Sequence, residues 1–186
     1  MSEIKQAPEQ IDINGDIFIP YLRESEIRKR ITEIAIKISD DYKGKVPVFI
    51  GVLNGSFIFM SDLIKQVPID CEIDFFKLSS YGDDKISTGQ VRLLKELNCD
   101  VNGRDIIIVE DIVDTGLSIK FIEELFEQHS PASMKLCTLL VKPESLRYKP
   151  KIDYIGFNIP NKFVIGYGLD YAQKYRNLKD IYILSE

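Results

Sequence analysis

The chain has 186 residues, of which 45% are hydrophobic and 28% are charged, and its net charge is −5. This composition is that of an ordinary globular domain, and the acidic balance argues against a nucleic-acid partner, which would need a basic face. No apolar run is long enough to cross a bilayer and the first residues have no signal core, so we expect a cytoplasmic protein without a membrane partner. Residues 1–186 contain no linker or repeat and are expected to form a single domain.

The cysteines and the single histidine exclude several kinds of site. Cys71, Cys99 and Cys137 are isolated in the sequence, with no Cys-x-x-Cys spacing, so neither a disulfide framework nor a zinc site is indicated. His129 alone cannot build a His-ligated metal centre, and it argues against a Ser-His-Asp triad. Proton transfer would therefore rely on a carboxylate, a lysine or a tyrosine.

The first half of the chain is predicted to alternate strands with helices. A helix over 25–41 has its isoleucines on one stripe, and Val48–Leu53 is a short apolar strand that a turn connects to a second helix beginning at Phe57. Alternating apolar residues over 69–75 predict a strand with one face inward. The other predicted elements of this half are a short strand at 17–19, a polar loop at 79–90 and a strand at 91–97.

The segment that follows departs from this generic pattern. Residues 106–109 are four β-branched residues, as in a parallel strand that is buried on both faces. Glu110, Asp111 and Asp114 then place three carboxylates at the predicted carboxyl end of the strand, which is the edge where α/β proteins bind ligands. This is the candidate functional segment of the chain.

A small-residue turn leads from these acids into a helix predicted over 117–129. Free amides at the N-terminus of such a helix form a cradle for a phosphate. An acid pair beside a phosphate cradle suggests a bound divalent metal, because Mg²⁺ takes one or two carboxylates together with substrate oxygens. The simpler alternative is that Asp114, Thr115 and Ser118 only cap the helix.

The remaining sequence predicts strands at 134–141, 154–158, 163–167 and 181–184. Strands that alternate with helices indicate an α/β protein with a mainly parallel sheet flanked by helices.

The segment after the β-branched strand consists of two acids, two aliphatic residues and then Asp-Thr-Gly-x-Ser. It resembles the phosphoribosyl diphosphate (PRPP) signature of the type I phosphoribosyltransferases. Further segments resemble the hypoxanthine-guanine branch of that family, in the same order. They are Gly-Val-Leu-Asn-Gly-Ser-Phe at 51–57, Ser80-Tyr81, Leu-Leu-Val-Lys at 139–142, and Lys-Phe-Val-Ile-Gly-Tyr-Gly-Leu-Asp-Tyr at 162–171.

The resemblance implies a twisted, mainly parallel sheet with a small hood and a flexible loop. It implies Mg²⁺-dependent transfer of 5-phosphoribosyl from PRPP to N9 of hypoxanthine, and of guanine. We also expect a homodimer or homotetramer.

The resemblance assigns a role to each matching residue. Asp114 is the general base that takes the proton from purine N7, and Lys142, rather than Lys162, donates to the 6-oxo group. Glu110 and Asp111 face the ribose hydroxyls and Mg²⁺. The 5′-phosphate is assigned to Asp114, Thr115, Gly116, Leu117 and Ser118; the diphosphate to Leu53, Asn54, Gly55 and Arg176; the purine to Lys142, Lys162, Phe163, Val164 and Asp170; a second Mg²⁺ to Asp170; and the hinge of the flexible loop to Ser80 and Tyr81.

One departure and two alternatives accompany these assignments. Many relatives carry Lys where Asn54 stands, so backbone amides or Mg²⁺ would carry more of the diphosphate charge here. A xanthine- or guanine-preferring transferase would keep the PRPP signature and change the base pocket. A regulator of the same fold that senses PRPP or nucleotide without catalysis should show an added helix-turn-helix or a basic face, and neither is visible.

Overall fold

The computed structural model describes residues 7–80, 91–95 and 97–185. The elements along the chain are β1 (Ile11–Ile13), β2 (Asp16–Leu22), α1 (Glu24–Asp41), β3 (Val48–Leu53), α2 (Phe57–Ile64), β4 (Glu72–Ser80), β5 (Val91–Lys95), β6 (Asp105–Val113), α3 (Leu117–Phe126), β7 (Ser133–Val141), a 3₁₀ turn (Pro143–Ser145), β8 (Tyr154–Asn158), β9 (Val164–Ile165) and β10 (Ile181–Leu184). No helix in these ranges is long and apolar enough to span a membrane.

The main sheet has six strands in the order β5-β4-β3-β6-β7-β8. All neighbours from β4 to β8 pair in parallel, and only β5 is antiparallel. Strands β3 and β6 lie at the centre, where their β-branched residues are covered on both faces. This arrangement confirms the predicted mainly parallel α/β sheet, and it aligns the carboxyl ends of β3, β6 and β7 at one edge.

The helices cover the two faces of this sheet. Helices α1 and α2 pack on one face, and the buried isoleucines of α1 recur three or four residues apart, as an amphipathic helix requires. Helix α3 packs on the opposite face through Ile119, Ile122 and Phe126. The first turn of α3 therefore lies at the carboxyl edge of the sheet, directly after β6.

A second sheet has four antiparallel strands in the order β1-β2-β10-β9. It is the small hood that the family resemblance implies, and it joins the two ends of the described chain. Of this sheet, the sequence predicted strands at 17–19, 163–167 and 181–184. Within 163–167, only Val164–Ile165 is strand.

The strand predicted over 69–75 was wrong in its bounds and in the orientation of its side chains. The strand predicted over 69–75 runs from Glu72 to Ser80, and Ile73, predicted to point inward, is 47% exposed. Asp74 is buried instead, because its carboxylate accepts hydrogen bonds from the amides of Phe75, Asn98 and Cys99. A local apolar pattern cannot reveal a carboxylate that is buried by amides distant in sequence.

The helix predicted over 117–129 ends at Phe126, and His129 is exposed in the turn beyond it. The strand predicted over 91–97 is assigned over Val91–Lys95.

Candidate active site

An ion pair lies where β6 and β7 leave the sheet. Val113 is opposite Val141 in the parallel register, so the residues that follow them, Asp114 and Lys142, are neighbours. Lys142 Nζ lies 2.8 Å from Asp114 Oδ2. Lys142 is only 7% exposed, which limits the directions that its ammonium can take. Two residues predicted for different roles therefore contact each other directly.

The predicted phosphate cradle is the turn between β6 and α3. Gly116 has a φ of +79°, and a Cβ there would overlap the carbonyl of Tyr148. The Thr115 carbonyl accepts hydrogen bonds from the amides of Arg147 and Tyr148, which fix the turn to the segment before β8. No side chain caps α3, and Gly116 is its N-cap residue. The capping alternative is therefore wrong for Asp114 and Ser118, while Thr115 Oγ1 makes one long contact of 3.4 Å with the Leu117 amide.

The acid pair lies inside β6 and not in a loop after it, which corrects the predicted end of the strand at Val109. Glu110 and Asp111 are 9% and 8% exposed. Burial raises the pKa of Glu110 well above its usual value, and the neighbouring Asp111 carboxylate adds to the rise. Burial also raises the pKa of Asp111, against the opposing effect of hydrogen bonds from Glu110 and from the Ile112 amide. Burial therefore opposes the ionisation of both carboxyls.

Glycines let three segments meet beside this pair. A Cβ on Gly55 would overlap the Asp111 carboxylate, and a Cβ on Gly168 would overlap the Gly55 carbonyl. Gly168 also has a φ of +101°, which favours glycine on its own account. The loop after β3, whose Leu53–Asn54 peptide is cis, is thus in direct contact with β6 and with the loop after β9.

Asp170 and Arg176, predicted for metal and diphosphate, form an ion pair of 2.7 Å. Asp170 also accepts a hydrogen bond from the Gln173 amide, and the Arg176 guanidinium donates to the Gly168 carbonyl. The Arg176 guanidinium is therefore not fully available to a diphosphate, because two of its contacts are made within the loop that carries Asp170.

A cleft of about 240 Å³ opens between these loops. Phe163 lines this cleft, is 46% exposed, and packs edge-on against Phe18 and Tyr171. Val164 lies opposite Ile183 on β10, and the Leu184 amide donates to the Phe163 carbonyl. Val164 and Ile183 are therefore a non-hydrogen-bonded pair of the antiparallel ladder, and the Val164 N–H and C=O point away from β10. The cleft is lined by Asp111, Ile112, Asp114, Lys142, Phe163, Val164, Leu169 and Asp170.

Comparison with known proteins agrees with this geometry. Residues 21–172 match the family model of the phosphoribosyl transferase domain. The hypoxanthine-guanine phosphoribosyltransferase of Bacillus subtilis is 44% identical over 91% of this chain and 94% of its own length. The chain belongs to the hypoxanthine-guanine phosphoribosyltransferase family. The hypoxanthine phosphoribosyltransferase of Escherichia coli is 43% identical over 88% of this chain and 91% of its own length.

Solved structures of this family share the fold. A hypoxanthine-guanine phosphoribosyltransferase from Bacillus anthracis, with a HEPES molecule in its active site, superposes with a TM-score of 0.84 at 42% identity, covering 89% of this chain and 98% of that one. The type I phosphoribosyltransferase fold and the transferase class predicted from the sequence are confirmed. The xanthine-preferring and regulatory alternatives are not favoured by these relatives.

The carboxylates of this phosphoribosyltransferase site suit Mg²⁺ with its substrate. Within the described ranges, no group of three or more His, Cys, Asp or Glu side chains could hold a metal by itself. Mg²⁺ is typically held through one or two protein carboxylates and completed by water and substrate phosphates. Glu110 has a buried Oε2 without a hydrogen-bond partner, so the acid pair keeps an unused oxygen ligand. The residues present therefore fit the ion.

Some predicted site residues do not line the cleft, and others lie outside the residues that the structure describes. Lys162 does not line the cleft, although Phe163 beside it does. Ser80 ends β4, and Tyr81 with the rest of the predicted flexible loop, 81–90, lies outside the described residues. The sequence analysis missed Ile112 and Leu169 as lining residues, because isolated aliphatic residues carry no signal that separates a cleft wall from a core.

Proposed function

We propose that this chain transfers the 5-phosphoribosyl group of PRPP to N9 of hypoxanthine, and of guanine, with release of diphosphate. The observation that carries the proposal is one cleft, at the carboxyl ends of β6 and β7, that gathers an acid, an ammonium and an exposed aromatic face. The family of its relatives supports the same reaction.

The base is held at the hood side of the cleft. Phe163 offers its face for stacking, and the outward N–H and C=O of Val164 can pair with the purine edge. The Lys142 ammonium has only donors, so it can bond a 6-oxo group but not a 6-amino group. This selects hypoxanthine or guanine against adenine. Lys162 would contribute only at the margin of this pocket.

Asp114 is proposed as the general base. Its carboxylate is held by Lys142 before the base arrives, at 2.8 Å. When the 6-oxo group takes the Lys142 ammonium, Asp114 can accept the proton from N7. N9 then attacks the anomeric carbon as the bond from that carbon to diphosphate breaks, and the proton ends on Asp114. General bases of this kind contribute about two to four orders of magnitude to a rate.

The phosphorylated sugar is held below the base. The amides and hydroxyls of Thr115 to Ser118, with Asp114 before them, would bind the 5′-phosphate at the positive end of α3. Glu110 and Asp111 would bond the ribose hydroxyls, and their negative charge would favour a ribose that becomes cationic as diphosphate leaves. The acid pair would hold one Mg²⁺ and Asp170 a second, and these ions would supply positive charge that offsets the charge of the diphosphate.

The diphosphate end would depend on backbone amides or on Mg²⁺, because no lysine stands at position 54. Leu53, Asn54 and Gly55 would offer backbone amides, Gly55 lies against the Asp111 carboxylate, and Asn54 brings no charge. Arg176 would contribute to the field around the diphosphate while it remains paired with Asp170. We further propose that Ser80 and Tyr81 form the hinge of a loop that shields the cationic ribose from water, and that the chain assembles as a homodimer or homotetramer.

The test is a PRPP-dependent assay with Mg²⁺ in which nucleotide formation is followed for hypoxanthine, guanine, xanthine and adenine. The proposal expects product from hypoxanthine and guanine, and rates from adenine that are lower by several orders of magnitude. Product from xanthine and guanine alone would indicate the alternative base preference. Binding of PRPP without product from any base would overturn the enzymatic proposal.

A further inference from the structure

The loop after β9 is a compact unit built around Asp170. Gly166 and Leu169 exchange backbone hydrogen bonds, and Tyr171 and Lys174 do the same. The Asp170–Arg176 ion pair closes the loop on itself. Positive φ values occur at Gly166, Tyr167, Gly168, Ala172, Gln173 and Tyr175. Such a network holds the Asp170 carboxylate rigidly within the loop, but by itself it does not fix where the loop lies relative to the rest of the site.

Among the residues of this loop that have positive φ and are not glycine, Tyr167 is the buried one. It has a φ of +51° between two glycines, a conformation that side chains other than glycine rarely adopt. Its side chain is buried, and its hydroxyl donates to Asp62 Oδ2 on α2 at 2.7 Å. Burial, together with the Asp62 hydrogen bond, raises the pKa of the phenol, which keeps it a donor. A strained backbone that persists implies a contact that compensates for it.

Helix α2 connects this contact to the other half of the diphosphate site. It begins at Phe57, directly after the loop of residues 53–56, so one short helix connects Asp62 to Gly55. On the neighbouring side, Gly168 is packed against the Gly55 carbonyl. The loop after β9 is thus held at two points, against the loop after β3 by close glycine packing and against α2 by the Tyr167–Asp62 hydrogen bond.

We infer that Tyr167 and Asp62 are positioning residues for the diphosphate end of the reaction. They set the distance between Asp170 and the amides of residues 53–55, so that both can reach one diphosphate. This inference rests on the proposed PRPP reaction and names residues that touch neither substrate. Its consequence is selective: loss of the hydrogen bond weakens use of PRPP and leaves the purine pocket of Lys142 and Phe163 intact.

Tyr167→Phe removes only the hydroxyl, and steady-state kinetics with PRPP and hypoxanthine varied in turn will measure the effect. Because the hydrogen bond is lost but part of the restraint remains at Gly168, we expect KM for PRPP to rise about threefold to tenfold. The KM for hypoxanthine should change by less than about twofold. Asp62→Ala should reproduce the PRPP effect, and Asp62→Asn, which keeps an acceptor oxygen, should restore most of it.

Tyr154→Phe is the matched control, because Tyr154 is also buried and donates to a carboxylate, Asp41, at 2.6 Å, but does so in β8 away from the cleft. It should lower the melting temperature without changing either KM. If Tyr167→Phe changes both KM values alike, or behaves as Tyr154→Phe does, the positioning role is wrong. If Tyr167→Phe does not fold, Asp62→Ala decides in the same way. An inactive wild-type chain would instead refute the proposed reaction itself.

Discussion

Lys142 and Asp114 form one ion pair before any base is bound, and this pairing explains how a nearly buried ammonium is kept without a ligand. In the proposed reaction, the purine therefore competes with Asp114 for Lys142. Base selection and proton transfer are therefore coupled through a single side chain.

Lys142→Met tests the selection. The ammonium bond to the 6-oxo group is lost, so kcat/KM for hypoxanthine should fall roughly 10- to 100-fold, as expected for a hydrogen bond involving a charged group. Discrimination against adenine should fall with it, which a comparison of the two bases will measure. Lys162→Met is the matched control and should have a much smaller effect. Equal losses in the two variants would show that Lys142 is not the selective donor.

Glu110→Gln tests the buried acid pair. The raised pKa of Glu110 means that the folded state holds a proton that the unfolded state releases, so wild-type stability falls as pH rises above the ordinary value for glutamate. Glutamine mimics the protonated form and removes this loss. We expect the variant to be more stable than wild type by on the order of 1 kcal/mol at pH 8 and similar to it near pH 4.

Urea unfolding at both pH values, without PRPP and metal, measures this difference. The same variant should lose most activity, because the acids would be retained for function at a cost in stability. A variant that is less stable than wild type at pH 8 would contradict the raised pKa.

At the scale of elements, the carboxyl edge is organised by glycine contacts between loops. Gly168→Ala should force the loop after β9 away from the Gly55 carbonyl, while Gly103→Ala, at a φ of +69° with open space around it, adds only backbone strain. We expect Gly103→Ala to cost about 1 kcal/mol of unfolding free energy. Gly168→Ala should cost clearly more and also raise KM for PRPP. Equal melting temperatures and equal KM values would show that the Gly168 contact is unimportant.

The elements with clear local signals could be predicted from the sequence. Strands β3, β8 and β10 and the start of α2 were placed at their observed bounds, because apolar runs there are bounded by turns. Strand β1 was not predicted. The orientation of β4 and the continuation of β6 through Glu110 and Asp111 could not be predicted either, because the burial of Asp74, Glu110 and Asp111 depends on partners distant in sequence. For the same reason the Asp170–Arg176 pair and the Tyr167–Asp62 contact had no local pattern.

At the scale of the whole molecule, the two sheets divide the work. The parallel sheet supplies Asp111, Asp114 and Lys142 from its carboxyl edge, and the antiparallel hood supplies Val164 from its edge strand β9. The cleft lies between them. In the proposed reaction the base would be contacted from both sheets, by Val164 of the hood and by Lys142 and Asp114 of the parallel sheet, and the sugar phosphate by the parallel sheet alone. The relative placement of hood and sheet should therefore affect the base and the sugar phosphate differently.

The proposed assembly can be tested at this scale. A single chain has a mass of 21.4 kDa, and we expect light scattering after gel filtration to give two or four times that mass. The measurement should be repeated over a range of protein concentrations, because a weak dimer would dissociate on dilution. A monomer at every concentration would contradict the proposal while leaving the catalytic account unchanged.

The central claim is that Asp114 receives the purine proton in this cleft, and the rate of IMP formation by Asp114→Asn tests it most directly. The amide keeps the size of the side chain but cannot accept the proton as a carboxylate does. We predict a fall in kcat of roughly two to four orders of magnitude, with PRPP binding retained as evidence of an intact site. A turnover near that of the wild type would contradict the account and remove Asp114 from the role of general base.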